Sequence, residues 1–123
     1  MTIGILGGGV WGSALARVLS NNKVIIYARD EKIVKSINEH KINPKLKYSS
    51  FNENVTATTS LKEIRNVKFL FITLPAQNIR EVIKDSSLHN NNHHIVICSK
   101  GIEISSSKFL TDVFQEMMPF KSI

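Results

Sequence analysis

Ile5-Leu6-Gly7-Gly8-Gly9-Val10-Trp11-Gly12-Ser13-Ala14-Leu15-Ala16 is the stretch on which the fold turns. Before it, Thr2 to Leu6 is a short apolar run of the kind a buried strand makes, and three glycines end it. After it, Trp11, Ala14, Leu15, Val18 and Leu19 recur at the spacing of one helix face. Gly7, Gly9 and Gly12 give the spacing G-x-G-x-x-G between a strand and a helix, the context in which it marks a dinucleotide site. Each glycine has a separate task. Gly7 permits the tight turn, Gly9 leaves room for a pyrophosphate against the backbone, and Gly12 lets the helix pack close to the strand. The helix start then offers unpaired N–H groups and a positive dipole end to the phosphates.

Outward from this loop the chain alternates between the two periods. Asn21 and Asn22 are expected to stop the first helix, as residues that tolerate left-handed backbone. Val24 to Tyr27 reads as a second strand, and Asp30 as the N-cap of a helix carrying Ile33, Val34 and Ile37. Residues 41 to 54, with Pro44, read as a loop, and Val55 to Thr58 as a short third strand. Ser60 and Glu63 have capping-box spacing. Phe69 to Leu74 is the clearest strand, and a helix with Ile79, Val82 and Ile83 on one face follows it. After a polar loop from His89 to His94, Ile95 to Cys98 is the fifth strand. Phe109, Leu110, Val113, Phe114 and Met117 then mark a last helix, capped near Ser105 or Ser106. Strands apolar on both faces, alternating with helices, predict an α/β fold with a doubly wound parallel sheet of Rossmann type. The expected strand order is 3-2-1-4-5, with the glycine loop at the switch between the first and fourth strands.

Composition sets the outer bounds. The 123 residues are 42% apolar and 21% charged, the balance of one soluble globular domain. The apolar stretch from Val67 to Pro75 is far too short to span a membrane, so no membrane insertion is expected. The N-terminus enters a strand pattern at once, without a basic leader or cleavage site. A single cysteine, Cys98, has no partner for an internal disulfide, which points to a reducing cytoplasm. Cys98 itself, on an apolar strand, reads as a buried structural thiol. The net charge of +6 lacks the interleaved aromatics of a nucleic-acid surface and suits a protein that holds a phosphorylated cofactor; no nucleic acid is expected. His89, His93 and His94 lie among asparagines without a nearby Cys or carboxylate, so no metal is expected either.

The choice of cofactor turns on the end of the second strand. NAD-specific domains place an acidic residue there, about twenty residues beyond the loop, to bond the ribose hydroxyls. Here the sequence is Tyr27-Ala28-Arg29-Asp30, which sets Arg29 where a bidentate contact with a 2′-phosphate is feasible. Asp30 is assigned to the helix cap. The reading leans to NADP and leaves NAD open.

Five segments, taken in order, resemble bacterial NAD(P)-dependent glycerol-3-phosphate dehydrogenase. They are Gly7 to Ala16, Tyr27 to Asp30, Asn54 to Thr59, Leu74-Pro75-Ala76-Gln77 with Arg80-Glu81-Val82, and Ser99-Lys100-Gly101-Ile102-Glu103. The likeness covers the whole chain, as the N-terminal cofactor-binding domain of that family. It implies an oxidoreductase of glycerophospholipid synthesis, passing hydride between NAD(P)H and dihydroxyacetone phosphate or sn-glycerol 3-phosphate. It implies that Val10, Trp11 and Arg29 touch the cofactor, beside Gly7, Gly9 and Gly12, and that Lys100 reaches both cofactor and the small phosphorylated substrate. It also leaves room for a homodimer of the full-length protein.

Two departures from the family pattern stand out. Its Asn-Pro-x-Tyr-Leu-Pro-Gly loop is here Asn43-Pro44-Lys45-Leu46-Lys47-Tyr48, so a cofactor contact from that loop is in question. Residues 1–123 also stop before the family's next strand and its helical domain, which carries the proton-donating lysine. The expectation is an incomplete domain with no catalytic residue of its own. Besides the dehydrogenase, a non-catalytic nucleotide-binding remnant or redox-sensing module stays open; dehydrogenases of hydroxyacyl or ketopantoate substrates come third, with Ser99 to Glu103 and the setting of Trp11 against them.

Overall fold

Ile3, Ile5 and Leu6 are each almost wholly buried, yet they face opposite ways: Ile3 and Ile5 enter one apolar cluster and Leu6 another. In the computed structural model, which describes residues 1–123, they belong to the central strand β1 (Thr2–Leu6). The other strands are β2 (Lys23–Tyr27), β3 (Val55–Thr58), β4 (Phe69–Ile72) and β5 (His94–Ile97). All five are parallel, in the order β3-β2-β1-β4-β5, as the alternation of apolar runs predicted.

Helices cover both faces. Helices α1 (Val10–Val18) and α2 (Glu31–His40) lay Ala16, Ile33 and Ile37 against Ile3, Ile5, Val24 and Ile26. On the other face, α3 (Ile79–Ile83) and α4 (Leu110–Met117) pack Ile79, Ile83, Val113 and Phe114 over Leu6, Leu70 and Ile72. Each such fully buried side chain contributes about 1.5–3 kcal/mol relative to exposure. The chain changes faces between β3 and β4. The connections leaving β1 and β4 therefore diverge and open a crevice above their carboxyl ends, the place where open α/β sheets bind ligands.

Local chemistry agrees with the sequence in some places and departs from it in others. Asp30 caps α2 as expected, accepting the Lys32 N–H at 2.9 Å. Ser60 does not form a capping box: Leu61–Ile64 is a single 3₁₀ turn, and the Ser60 side chain makes no cap bond. Burial of Leu61 and Ile64, three apart on one side of that turn, holds the segment instead. Asn21 and Asn22 lie beyond the end of α1, but neither is left-handed; outside glycine, only Lys41 (φ 56°) and Ser107 (φ 57°) are.

The largest departure follows β5. Ser105 and Ser106 cap nothing, because β6 (Ile102–Glu103) and β7 (Lys108–Phe109) form an antiparallel hairpin and α4 begins only at Leu110. Ser107, in left-handed backbone, helps turn the chain back, and Phe109 is 68% exposed instead of lying in the helix core. Beyond Pro119 the chain runs beside β5. Ser122 bridges His94 in parallel, and Ile95 donates its N–H to the Ser122 carbonyl at 2.7 Å. No helix is long and apolar enough to cross a membrane.

Candidate functional site

The glycine loop sits at the mouth of the crevice, and each glycine there meets a different surrounding. Gly7 has φ +136°, a backbone that L side chains rarely adopt, and its N–H extends the sheet ladder to Tyr27 O at 3.0 Å. A Cβ on Gly12 would lie 2.2 Å from the Gly7 carbonyl oxygen, so α1 can approach β1 only with glycine at that position. Gly9 is different. Its φ of −83° and ψ of −170° suit any residue, and no atom lies within 4 Å of where its Cβ would stand. Nothing inside the chain requires glycine there; the open space faces outward.

Helix α1 starts directly behind that space. Its N-cap is Gly9, no side chain caps it, and its first turn contains no acid. The leading N–H groups of a helix have no partner within it, and with the helix dipole they form an anion site. A pyrophosphate fits here: there is room beside Gly9, donors behind it, and no carboxylate in the turn to repel it.

The crevice has two compartments. One, of about 400 Å³, is lined by Gly7, Gly9, Val10, Trp11 and Arg29 among others, so the structure gathers these five expected residues. Gly12 lies buried beneath them. Lys100 belongs to the second compartment, of about 690 Å³, with Gln77, Cys98 and Ser99. Trp11, Thr73, Leu74 and Pro75 line both. Trp11, 55% exposed, therefore stands on the border between them. Cys98 is a correction: just past the end of β5, it is half-buried and lines this second compartment rather than the core. Burial still pushes its thiol pKa up.

Three supports of the first compartment were not foreseen. The Thr73 hydroxyl donates to the carbonyls of Leu6 (3.2 Å) and Gly7 (3.4 Å), clamping the turn from the β4 side. Asn43, fully buried, donates its side-chain amide to Gly8 O at 2.8 Å and Ser13 Oγ at 2.7 Å. Its Oδ1 accepts the Lys45 N–H at 3.0 Å, and this brings Lys45 to the cleft wall. The loop from Asn43 to Tyr48, in question from its altered sequence, thus reaches the site through Asn43 and Lys45. A buried Asn beside a Pro is a local signal, but its partners lie 30 and 35 residues away.

The segment carrying Lys100 is held from three sides. The Ser99 hydroxyl donates to the carbonyls of Ile72 and Leu74, joining the ends of β4 and β5. The Gln77 side chain takes both Ile102 O (2.8 Å) and the Ile104 N–H (2.9 Å). Arg80 donates its Nε to both carboxylate oxygens of Glu103 at 3.0 and 2.9 Å, and its terminal nitrogens reach Glu116. Lys108 completes the cluster at 2.6 Å from Glu116. The hydrogen bonds from Arg80, then from Lys108, hold the Glu116 carboxyl down at about 2, and those from Arg80 and Ser106 keep Glu103 below the usual carboxylate range. The two motifs Leu-Pro-Ala-Gln and Ser-Lys-Gly-Ile-Glu are thus one assembly in space.

The histidines are committed elsewhere. His93 is fully buried with its ring nitrogens 2.8 and 3.1 Å from the carbonyls of Val67 and Leu88. His89 meets Ile83 O, and His94 stacks on Phe69.

Comparison with known proteins agrees with this fold. The family described as NAD-dependent glycerol-3-phosphate dehydrogenase N-terminus matches residues 2–123. The chain is 34% identical over 124 residues to glycerol-3-phosphate dehydrogenase (NAD(P)+) of Novosphingobium aromaticivorans, covering 98% of this chain and 37% of that one. It is 34% identical to the protein of that name from Wolbachia pipientis of Culex pipiens, covering 97% of this chain and 38% of the relative. The crystal structure of glycerol-3-phosphate dehydrogenase from Coxiella burnetii superposes with a TM-score of 0.86 at 28% identity, over 95% of this chain and 37% of that one. A 2-dehydropantoate 2-reductase from Enterococcus faecalis shares the fold at a TM-score of 0.69 and 16% identity, over 97% of this chain and 38% of that one. The chain spans a little over a third of the length of the curated relatives described here.

Proposed function

The chain belongs to the NAD-dependent glycerol-3-phosphate dehydrogenase N-terminal family, and from that premise we propose that it holds NADP(H) or NAD(H) for hydride transfer between the nicotinamide and dihydroxyacetone phosphate or sn-glycerol 3-phosphate. The observation that carries the proposal is the space at Gly9 in front of an uncapped helix start. No internal packing accounts for a glycine there, and an approaching pyrophosphate does.

The roles follow from position. The α1 N-terminus and the Gly7 to Gly9 backbone bind the pyrophosphate, and Arg29 meets the ribose end. Trp11, between the compartments, orients the nicotinamide half toward Lys100. The cofactor, when bound, supplies the hydride. Lys100 holds the substrate's oxygens beside it, and the loop fixed by Ser99, Gln77 and Arg80 keeps that lysine at the β5 end. Besides Lys100 the compartment's one titratable group is the Cys98 thiol, whose pKa burial pushes up, and no carboxyl or imidazole lines it. We place the proton donor and most of the substrate site in a helical domain outside residues 1–123. We place the protein in the cytoplasm, a reading its single cysteine supports.

Trp11 is the only tryptophan, so its emission reports on the cleft. NADPH or NADH titrated into the chain should quench it saturably and draw energy transfer from it. No NADPH oxidation with dihydroxyacetone phosphate is expected until the chain is extended through the helical domain. A chain whose Trp11 emission neither coenzyme alters would count against the dinucleotide site; turnover by residues 1–123 alone would show that the proton donor is misplaced.

A further inference from the structure

Lys45 and Arg29 line the same compartment although they come from different segments, the 3₁₀ turn Pro44–Leu46 and the end of β2. Neither takes part in any ion pair of the structure. The one acid lining that compartment, Asp30, has its carboxylate turned to the α2 N-cap, where it accepts the Lys32 N–H. This end of the cleft therefore offers two unpaired cations against a single carboxylate, one oxygen of which is engaged as a helix cap. Such a balance suits a dianion better than a neutral diol.

Lys45 is also placed, where most surface lysines are not. Its N–H is bound by Asn43, whose amide is buried and tied to Gly8 and Ser13. Pro44 restricts the backbone between them. The same side chain that braces the middle glycine of the loop thus fixes the base of Lys45 at the cleft wall, and only the four-carbon stem remains to be ordered on binding.

We propose that Lys45 is a specificity-determining residue that reads a 2′-phosphate together with Arg29. This rests on the dinucleotide reading above and adds to it a preference for the phosphorylated coenzyme. The test is a titration of the 123-residue chain and its Lys45→Ala, Lys45→Gln and Lys45→Arg variants, read by Trp11 emission, with NADPH, NADH, 2′,5′-ADP and ADP. Lys45→Ala and Lys45→Gln should weaken NADPH by about tenfold, the scale of one charge-assisted contact at a solvent-facing site, and NADH by less than about twofold. The preference for 2′,5′-ADP over ADP should fall by the same factor, and Lys45→Arg should restore most of it. Equal losses for NADPH and NADH would place Lys45 on the shared pyrophosphate and overturn the inference. Unchanged affinity for both would do the same. If the unaltered chain binds neither coenzyme, the dinucleotide reading itself fails, and this inference with it; binding of both coenzymes with no effect at Lys45 removes this inference alone.

Discussion

Gly9 and Gly12 are three residues apart in one motif, and the structure makes opposite demands on them. A methyl group on Gly12 would stand 2.2 Å from Gly7 O and 2.7 Å from Thr73 Oγ1. The first distance is about 1 Å inside normal contact, against backbone that cannot swing away. Overpacking of this kind costs about 1–3 kcal/mol, and the gain in helix propensity returns at most about 1. A net loss of about 1–2 kcal/mol is expected for Gly12→Ala, a fall of about 4–8 °C in Tm for a domain of this size. Gly9→Val meets no neighbour within 4 Å of the new Cβ and gives up only a modest N-cap preference, about 1 kcal/mol or less. Its cost falls on binding instead. Displacing the pyrophosphate from two backbone N–H donors loses about 3–6 kcal/mol, or more than about 100-fold in affinity. Thermal melts with and without NADPH, followed by titration, separate the two effects. A Gly9→Val variant that keeps its coenzyme affinity, or melts as low as Gly12→Ala, would refute the division of tasks.

Arg29→Ala should weaken NADPH by about 1.5–3 kcal/mol more than NADH, measured by titration; equal losses would show that Arg29 does not read the phosphate. Asn43→Ala strips partners from the buried Ser13 hydroxyl and the Gly8 carbonyl, and should lower stability by about 2–4 kcal/mol in urea denaturation; an unmoved midpoint would mean that water replaces the amide. Acid should act through the Arg80 cluster. Glu116 and Glu103 have lowered folded-state pKa values, so they stabilise the fold above the unfolded carboxylate range, near 4.5, and that contribution is lost as pH falls toward about 2. Arg80→Ala should flatten the dependence of Tm on pH across that window, and parallel curves for variant and parent would contradict it.

The sheet was legible because β1, β2 and β4 send side chains into apolar clusters on both faces, which writes them into the sequence as nearly unbroken apolar runs; β5 packs into one cluster only, yet keeps the run from Ile95 to Ile97. Gly7 and Gly12 were legible because a strand–turn–helix join admits few residues. What the sequence hid depends on distance. Asn43 looks like one more polar loop residue until Gly8 and Ser13 are brought to it, and Lys45 gains its place only through that Asn. The hairpin from Ile102 to Phe109 was read as a helix approach because three serines preceded an apolar periodicity. What overrides that local signal is Glu103, drawn into burial by Arg80 from 23 residues away. Ser60 shows the same limit: its cap spacing is present, but the chain has room for only one turn before β4.

The side chain of Gln77 has a consequence for solubility. The free edge of a two-residue strand such as β6, with the exposed apolar Ile102 in it and Ile104 just beyond it, is an open template on which a second molecule could add a strand. Gln77 occupies that template from within the same molecule, because its amide donates to the Ile102 carbonyl and accepts the Ile104 N–H as a neighbouring backbone would. Lys100 can therefore sit on an exposed, partly apolar segment at the cleft without that segment recruiting other chains. Gln77→Ala should express itself first as concentration-dependent association, before any loss of coenzyme binding.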